Sequence, residues 1–380
     1  MGRPVRQLPA EDTLPRLLLT LTAVCGEYPS AHLKHLPGGA SYIESMVTAL
    51  KQKGLLRTYY RDGLRGLRLT TAAKRLLLNH QPERFTPYLT GCSETNRLKS
   101  EVPRRLRLHR MAEVLVAMYN AGVLVFSWEK PSVFQPVPPP STCRISQPAY
   151  YNSREMKEMG CQADKISSSR STGVLLTDGG IFIAYNTGPY QMKWEYKAEM
   201  RLKVTLQTEL CRCRLPSQYM DTPISGIVFA SDMGRLDTMV GADSSPSNDR
   251  FLQDGSFEHF YFLTCDHNGE AVLRLLCDGE LRAALDDVLS EDLQPPDPGL
   301  PIENDAIAGN IPVLFGYTCD MPRLRRFDNA LSIHEKDGLV ICFDFQEEAY
   351  RRCCGPHVQL QCLDLEACER SVFPSPEKKL

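Results

Sequence analysis

The chain has 380 residues, with 44 Lys+Arg against 46 Asp+Glu, and 42% of its residues are hydrophobic. This composition is typical of a folded protein with more than one core, and it excludes a disordered, fibrous or collagen-like chain. Residues 1–110 carry 19 Lys+Arg and 8 Asp+Glu, a net charge of +11, whereas residues 111–380 carry 25 and 38, a net charge of −13. Such a basic segment usually faces a polyanion such as nucleic acid, and a basic solvated surface is the alternative.

The first ninety residues have the element order of a winged helix-turn-helix. Apolar residues at helical spacing predict a helix over Leu14–Cys25, and a short helix over Ser30–Leu36 follows the break at Gly26. A third helix is predicted over Ser41–Lys53. One apolar stripe runs along it, formed by Ile43, Met46, Val47 and Leu50. The opposite face carries Ser41, Ser45, Thr48, Lys51 and Gln52.

A small β-hairpin is predicted after the third helix. Leu55–Tyr60 is rich in β-formers, Arg61-Asp62-Gly63 supplies a tight turn, and Leu67–Leu69 returns along the first strand. The arginines of this hairpin are Arg57, Arg61, Arg65 and Arg68. We interpret the hairpin as the wing of the winged helix.

This arrangement predicts binding to double-stranded DNA. A helix about 10 Å across fits the major groove, where short polar side chains meet base edges, and arginines of the wing reach phosphates. The residues expected to contact DNA are Ser41, Ser45, Thr48, Lys51, Arg57, Arg61, Arg65 and Arg68. The alternative is a winged helix that contacts only protein. The basic run Pro103–Arg110 either extends the phosphate contacts or is the solvated start of a helix.

The sequence predicts a mixed fold, α+β or α/β, in four parts. These are the winged helix over residues 1–90, a helical connector with a Pro-rich arm over 91–150, a mixed-sheet α/β domain over 151–350, and a Cys-rich tail over 351–380. Buried strands are predicted at Ile224–Ser231, His259–Cys265, Pro312–Tyr317 and Leu339–Phe345, with a helix at Gly269–Leu276.

Two carboxylates and a lysine form a candidate metal-dependent site. Asp178 lies at a predicted hairpin, and strict alternation from Tyr190 to Lys197 predicts a strand that carries Glu195 and Lys197 on one face. Two carboxylates can hold Mg²⁺ or Mn²⁺ while the ammonium orients a water, which is the chemistry of phosphodiester cleavage. The alternative is a surface strand with an ordinary ion pair. If the segment is helical, Glu195 and Lys197 diverge by about 200°.

The remaining signals favour a cytoplasmic protein without a membrane span. The fourteen cysteines include no C-x-x-C pair, so we interpret them as reduced thiols. The cluster Cys353, Cys354, His357, Cys362 and Cys368 lacks the spacing of a zinc ribbon and is more simply an incidental Cys-rich tail. Neither Leu17–Gly26 nor Val114–Trp128 reaches the roughly 20 apolar residues of a transmembrane helix.

The order of these parts resembles the replication-relaxation family of plasmids and integrative mobile elements. The resemblance covers roughly residues 10–215. It is carried by the winged helix through Leu69-Thr70, by Arg107-Leu-His109-Arg110, by Ser153-Arg-Glu-Met-Lys157, by Thr177-Asp178-Gly179 and by Trp194-Glu195-Tyr-Lys197. Thr177 departs from the family pattern, which usually has proline at that position.

The resemblance implies a second domain similar to PD-(D/E)xK nucleases. It assigns Asp178 and Glu195 to the metal-binding acids and Lys197 to the last, catalytic motif position, with Mg²⁺ as the cofactor. It also implies a role in replication, relaxation or transfer of a mobile element, with replication or relaxosome proteins as partners besides DNA. The alternative is a non-catalytic regulator or scaffold whose α/β domain binds a protein partner.

Overall fold

The computed structural model describes residues 7–90, 100–158, 169–188, 194–240 and 255–374. In these residues the protein is a mixed α and β structure with three open sheets. The chain divides into two compact units, and the division between Val116 and Ala117 falls inside one long helix.

The described part of the first unit consists of helices and a small antiparallel sheet. Its helices are α1 (Leu14–Cys25), α2 (Ala40–Gln52), α3 (Thr71–His80), α4 (Pro82–Leu89) and α5 (Val102–Asn120), whose last turn belongs to the second unit. A 3-10 helix spans Ser30–His35. The strands are β1 (Tyr28–Pro29), β2 (Leu56–Arg61) and β3 (Leu64–Leu69), in the order β1-β3-β2.

Helix α1 forms the centre of the first unit. Pro15 stands in its first turn, where the missing backbone N–H leaves no hydrogen bond unmade. Gly26 ends the helix with a positive φ of 83°. Leu18, Leu19 and Leu21 are fully buried, because the helix is apolar nearly all round and is enclosed by its neighbours.

The predicted helices and the first hairpin strand are confirmed within one or two residues, except that the second predicted helix is a 3-10 helix. The second hairpin strand begins at Leu64, three residues before the predicted start. The turn of the β2-β3 hairpin has positive φ at Asp62 (50°) and at Gly63 (77°). Positive φ at both central residues is the type I′ geometry, whose twist matches that of the strands it joins.

The second unit contains a five-stranded mixed sheet. Its strands are β4 (Ala149–Asn152), β5 (Gly173–Leu176), β6 (Ile181–Gly188), β7 (Ile224–Ala230) and β8 (Phe260–Thr264), in that order. The first three strands are antiparallel, and β6, β7 and β8 are parallel. The connections contain α6 (Tyr196–Thr205), a π-helical continuation (Leu206–Arg214), α7 (Pro216–Tyr219) and α8 (Leu236–Val240).

A four-stranded sheet completes the second unit. Its strands are β9 (Ala306–Ala308), β10 (Ile311–Phe315), β11 (Gly338–Phe343) and β12 (Val358–Leu363), with β10, β11 and β12 parallel. The accompanying helices are α9 (His267–Cys277), α10 (Gly279–Ser290), α11 (Met321–His334), α12 (Glu347–Cys353) and α13 (Leu365–Ser371). One apolar core contains residues of both sheets, among them Ile183, Phe262 and Val340.

The sequence predictions for this unit are confirmed in part. The four strands predicted after residue 220 are β7, β8, β10 and β11, and the predicted helix at Gly269–Leu276 is α9. Residues 351–380 are not a separate tail as far as they are described. Strand β12 pairs with β11 over six residues, and α13 follows it.

The Pro-rich segment is not a free arm along its whole length. Val133 and Phe134 are buried in the apolar core. The Arg214 guanidinium donates hydrogen bonds to the carbonyl oxygens of Val133 and Gln135, at 2.9 and 2.6 Å. The prolines keep the backbone extended, and its carbonyl groups are satisfied by that buried arginine.

No helix of the described residues combines the length and apolar character needed to cross a membrane.

Candidate nucleic-acid interface

Helix α2 exposes one polar face. Ile43, Met46, Val47 and Leu50 are buried, as their spacing predicts. The exposed face includes Ser41, Ser45, Thr48 and Gln52. Lys51 lies half-buried at its flank. Short hydroxyl and amide side chains therefore point away from the core along about three turns of helix.

The β2-β3 hairpin separates its arginines onto two faces. Directly paired residues of an antiparallel sheet point to the same side. Arg65 pairs with Tyr60, whereas Arg57 pairs with Arg68 three positions along, and the alternation places these two pairs on opposite faces. Arg57 and Arg65 are both exposed. The hairpin therefore presents basic groups to two different directions.

Arg65 lies on the side of the hairpin that faces α2. Burial, followed by repulsion from the Arg65 guanidinium, lowers the pKa of Lys51. Neither Lys51 nor Arg65 forms an ion pair among the described residues. Lys51 and Arg65 are thus close enough for their charges to repel each other beside the polar face of α2.

Arg57 lies near a different lysine. Burial, followed by repulsion from Arg57 and Arg68, lowers the pKa of Lys74 on α3. Arg61, at the end of β2, is exposed and forms an ion pair with Asp62 at 3.3 Å. The pair is open to solvent, so it contributes little stability and Arg61 can exchange partners.

Arg68 does not reach solvent, so its predicted contact with DNA is wrong. Its side chain is 4% exposed, and its Nη2 lies 2.6 Å from Oε2 of the fully buried Glu27. The guanidinium also stacks on the Tyr59 ring, 3.6 Å from the ring centroid. The register explains this position, because Glu27 immediately precedes β1 and stands opposite Arg68 on β3.

Helix α5 supplies two more partners for Glu27. Arg105 Nη2 lies 2.6 Å from Glu27 Oε1, and His109 Nε2 lies 2.8 Å from the same oxygen. Arg105 also donates hydrogen bonds to the carbonyl oxygens of Tyr59, Arg61 and Leu64, at the tip of the hairpin. We call Glu27, Arg68, Arg105 and His109 the Glu27 cluster. It fixes the hairpin to α5.

The Glu27 cluster explains why residue 66 is a glycine and why the pKa of Glu27 is low. A Cβ at Gly66 would lie 2.2 Å from Glu27 Oε1, so only glycine leaves room for the carboxylate. Burial raises the pKa of Glu27, but hydrogen bonds from His109, Arg105 and Arg68 outweigh it and lower the pKa to about 2. The carboxylate is ionised at neutral pH and compensates the buried guanidinium groups.

The basic run Pro103–Arg110 is therefore neither a continuous phosphate track nor simply a solvated helix start. Arg105 and His109 face the interior, whereas Arg104 and Arg107 are exposed. Positions 105 and 109 are four apart and share one face of α5, which is the signal that the sequence offered. Sequence analysis also missed Tyr60, which is 68% exposed at the hairpin tip beside Arg65.

The structure does not bring Asp178 and Glu195 together. Asp178 lies just after β5 and pairs with Arg144 at 2.8 Å. Glu195 pairs at 3.4 Å with Arg170, which lies just before β5. At about 3.3 Å per residue, the acids are on the order of 20 Å apart along the strand direction. One cation binds oxygens at about 2.0–2.6 Å, so these two carboxylates cannot share it.

The predicted strand over Tyr190–Lys197 is wrong for its described part. Glu195 is the N-cap residue of α6, and Tyr196 and Lys197 form the first turn of that helix. Residues 189–193 lie outside the described residues. The alternation that predicted a strand ends at a helix start, so Glu195 and Lys197 do not share a strand face. The strand that does lie before this segment is β6, which ends at Gly188 and is buried along its whole length.

Other candidate ligands are dispersed or already paired. The described residues contain no group of three or more His, Cys, Asp or Glu that could hold a metal ion. His259 Nδ1 lies 2.6 Å from Asp320, and His267 Nε2 lies 2.7 Å from Glu369. Each of these histidines is therefore already paired with a carboxylate.

Comparison of the chain with protein-family models, with curated proteins and with solved structures finds no match.

Proposed function

We propose that the first unit is a winged helix that binds double-stranded DNA, with α2 in the major groove and the tip of the β2-β3 hairpin at phosphates. The observation that carries the proposal is the open polar face of α2 beside two cations, Lys51 and Arg65, that repel each other. Holding two like charges close together costs free energy. A phosphate bound between them offsets this repulsion, because it attracts both cations.

The chemistry of the surface suits a duplex better than a protein. Hydroxyl and amide groups at Ser45, Thr48 and Gln52 can donate to and accept from base edges. An interface that binds protein usually has an apolar or aromatic centre, and the exposed face of α2 contains one large apolar residue, Tyr42, at its flank. Tyr60 and Arg61 at the hairpin tip complete a surface that is amphipathic and basic.

The proposed DNA surface contains fewer residues than the sequence predicts. It contains Ser41, Ser45, Thr48, Lys51, Arg61 and Arg65. Arg68 is excluded because it is buried, and Arg57 is left out because it lies on the face of the hairpin opposite to Arg65. Arg61 shares the face of Arg57 by alternation, and it is kept because it lies exposed at the hairpin tip.

We further propose that the protein acts in the replication, relaxation or transfer of a mobile element in the cytoplasm, with replication or relaxosome proteins as partners. This part of the proposal rests on the sequence resemblance. We do not include DNA cleavage by Asp178, Glu195 and Lys197, because the acids lie at opposite ends of β5. Mg²⁺-dependent nicking of supercoiled plasmid that is lost in Asp178→Ala would contradict this choice.

A salt titration of DNA affinity tests the interface. Each phosphate contact releases about one counterion, so the slope of log K against log salt changes by about 0.9 when one contact is removed. We expect Lys51→Gln and Arg65→Gln each to lower the slope by about 0.9 and to weaken binding to every duplex similarly. Random-sequence duplex in a fluorescence anisotropy assay provides the measurement.

Arg57→Gln is the matched control, since it removes the same charge from the same hairpin on its other face. We expect it to leave the slope within about 0.3 of the wild-type value. A slope that falls for Arg57→Gln and stays unchanged for Arg65→Gln would place the interface on the opposite face. Binding whose affinity does not depend on salt would refute the proposed phosphate contacts, and the absence of measurable binding to duplex would refute DNA binding.

A further inference from the structure

Two cysteines face each other at the edge of the four-stranded sheet. Cys342 on β11 and Cys362 on β12 are direct partners in the parallel register. Paired residues of parallel strands point to the same side of the sheet, so the two cysteine side chains are neighbours on one face. This pair plays no part in the proposed DNA interface.

The backbone geometry allows a disulfide between them. Neighbouring strands lie about 4.8 Å apart. A disulfide joins Cα atoms roughly 4.4–6.8 Å apart, so a bridge at this register needs side-chain rotation rather than a backbone shift. A bridge between directly paired strand residues is constrained, and constrained bridges are the ones that thiols reduce readily.

The two thiols differ in access to solvent. Cys342 is fully buried, whereas Cys362 is exposed on β12, the edge strand of the sheet. An oxidant can therefore reach Cys362 first, and the sulfur next to it is Cys342. This is the arrangement of an attacking cysteine with a resolving partner.

The surroundings of Cys362 set its reactivity. Burial raises the pKa of Cys362, and its hydrogen bond to the Glu347 carboxylate raises it further, whereas Arg351 lowers it. Glu347 is itself paired with Arg351 at 2.5 Å. Burial and the Glu347 carboxylate together hold the pKa of Cys362 above its ordinary value, which slows its oxidation.

We propose that Cys342 and Cys362 form a reversible redox pair whose disulfide joins β12 to β11. With a peroxide as oxidant, the Cys362 thiolate attacks one peroxide oxygen, the O–O bond breaks, and a sulfenic acid and hydroxide form. The Cys342 sulfur then attacks the Cys362 sulfur, the S–O bond breaks, and water leaves with the thiol proton. Two thiols lose two electrons, and one hydrogen peroxide becomes two waters.

The bridge would act on the end of the chain that follows it. Strand β12 pairs with β11 alone among the described strands, and α13 begins two residues after β12 ends. Joining the strands covalently removes local opening of β12 as a separate event. The oxidised protein should therefore exchange its β12 amide hydrogens more slowly than the reduced protein.

Peroxide treatment of the full-length protein tests the pair. After treatment with hydrogen peroxide and blocking of free thiols, peptide mass mapping should show a Cys342–Cys362 cross-link that dithiothreitol removes. Hydrogen exchange of β12 should slow at least about tenfold on oxidation and recover on reduction. Cys213→Ser, which removes another exposed cysteine, should change neither result.

Two variants make the test decisive. Cys362→Ser, a change at an exposed position, should abolish both the cross-link and the slowing of exchange. Glu347→Gln should speed cross-linking at neutral pH at least about twofold, because it removes the charge that opposes the thiolate. A cross-link from Cys342 to Cys319, oxidation of Cys362 to sulfinic acid without any cross-link, or unchanged exchange in the bridged protein would overturn the proposal.

Discussion

At the scale of single residues, Glu27 determines the structure of the hairpin. Its carboxylate is fully buried and compensates two guanidinium groups that are 0% and 4% exposed. A buried charge is tolerated only when it is paired and hydrogen-bonded. Each partner also makes a second contact, because Arg68 stacks on Tyr59 and Arg105 binds three hairpin carbonyls. The hairpin geometry therefore depends on one acid.

Replacing this acid by its neutral isostere should destabilise the hairpin. Glu27→Gln leaves Arg68 and Arg105 buried without an anion, and breaking a buried pair in this way costs about 3–5 kcal/mol. We expect the free energy of opening of β2 and β3 to fall by about that amount. Hydrogen exchange with mass spectrometry measures it on peptides from the hairpin.

Glu44→Gln removes the same charge from the exposed flank of α2 and serves as the control. It should change the opening free energy by no more than about 0.5 kcal/mol. If Glu27→Gln costs no more than Glu44→Gln, the Glu27 cluster does not stabilise the hairpin.

The same carboxylate predicts how the hairpin responds to acid. The pKa of Glu27 in the folded protein is lowered from 4.5 to about 2, so its contribution is fully present above pH 4.5 and is lost as the pH falls toward 2. Wild type should therefore resist pepsin at the hairpin at pH 4.5 and lose that resistance by about pH 2. Glu27→Gln should be cut at both pH values. A wild-type hairpin that is cut equally fast at pH 4.5 and pH 2 would contradict this assignment.

At the scale of elements, α2 separates a buried stripe from a polar face. Residues that contact phosphate change affinity for all sequences, whereas residues that contact base edges change the preference among sequences. Ser45 and Thr48 lie at the centre of the exposed face and carry no charge. Their contribution should therefore appear in specificity rather than in the salt dependence.

The double variant Ser45→Ala/Thr48→Ala should reduce the preference for the best sites selected from a random duplex library. Losing one or two base contacts costs about 1–3 kcal/mol each at a preferred site. Affinity for random duplex and its salt slope should stay within error of wild type. A variant that keeps the full site preference would show that α2 does not read bases.

The elements of the first unit were predictable because local signals there are strong. The stripe from Ile43 to Leu50 has helical spacing, and the Asp62-Gly63 turn requires positive φ at both positions. Strand β12 and the partners of Arg68 were not predictable in this way. The alternation at Gln359–Leu363 is weak, and Arg68 meets Glu27 only through a register 41 residues apart in sequence.

The candidate nuclease site shows the limit of local pattern. The segment ending Met192, Trp194, Tyr196 alternates as a strand would, yet Tyr196 begins α6. Alternation over so few residues does not decide between a strand and an extended approach to a helix. The prediction that Glu195 and Lys197 act from one strand face depended on that choice, and the helix start at Tyr196 contradicts it.

At the scale of the whole molecule, the end of the first unit lies further along the chain than the sequence suggests. The predicted boundary at residue 90 follows the hairpin and the helices α3 and α4. The structural boundary falls after Val116, because Arg105 and His109 of α5 complete the Glu27 cluster. A domain is an independent unit only if it contains the partners of its buried charges.

Two fragments distinguish these boundaries. A fragment of residues 1–116 retains the whole Glu27 cluster and should unfold cooperatively in urea and bind duplex DNA with the salt slope of the full chain. In a fragment of residues 1–90, Glu27 keeps only Arg68 as a partner, and the hairpin carbonyls lose the Arg105 guanidinium. The free energy of unfolding of this fragment should therefore be lower by several kcal/mol, and it should unfold without a sharp transition. Arg105→Ala in the longer fragment should reproduce this loss, whereas Arg104→Ala, at an exposed neighbouring position, should not. Equal cooperativity of the two fragments would show that the first unit is complete without α5.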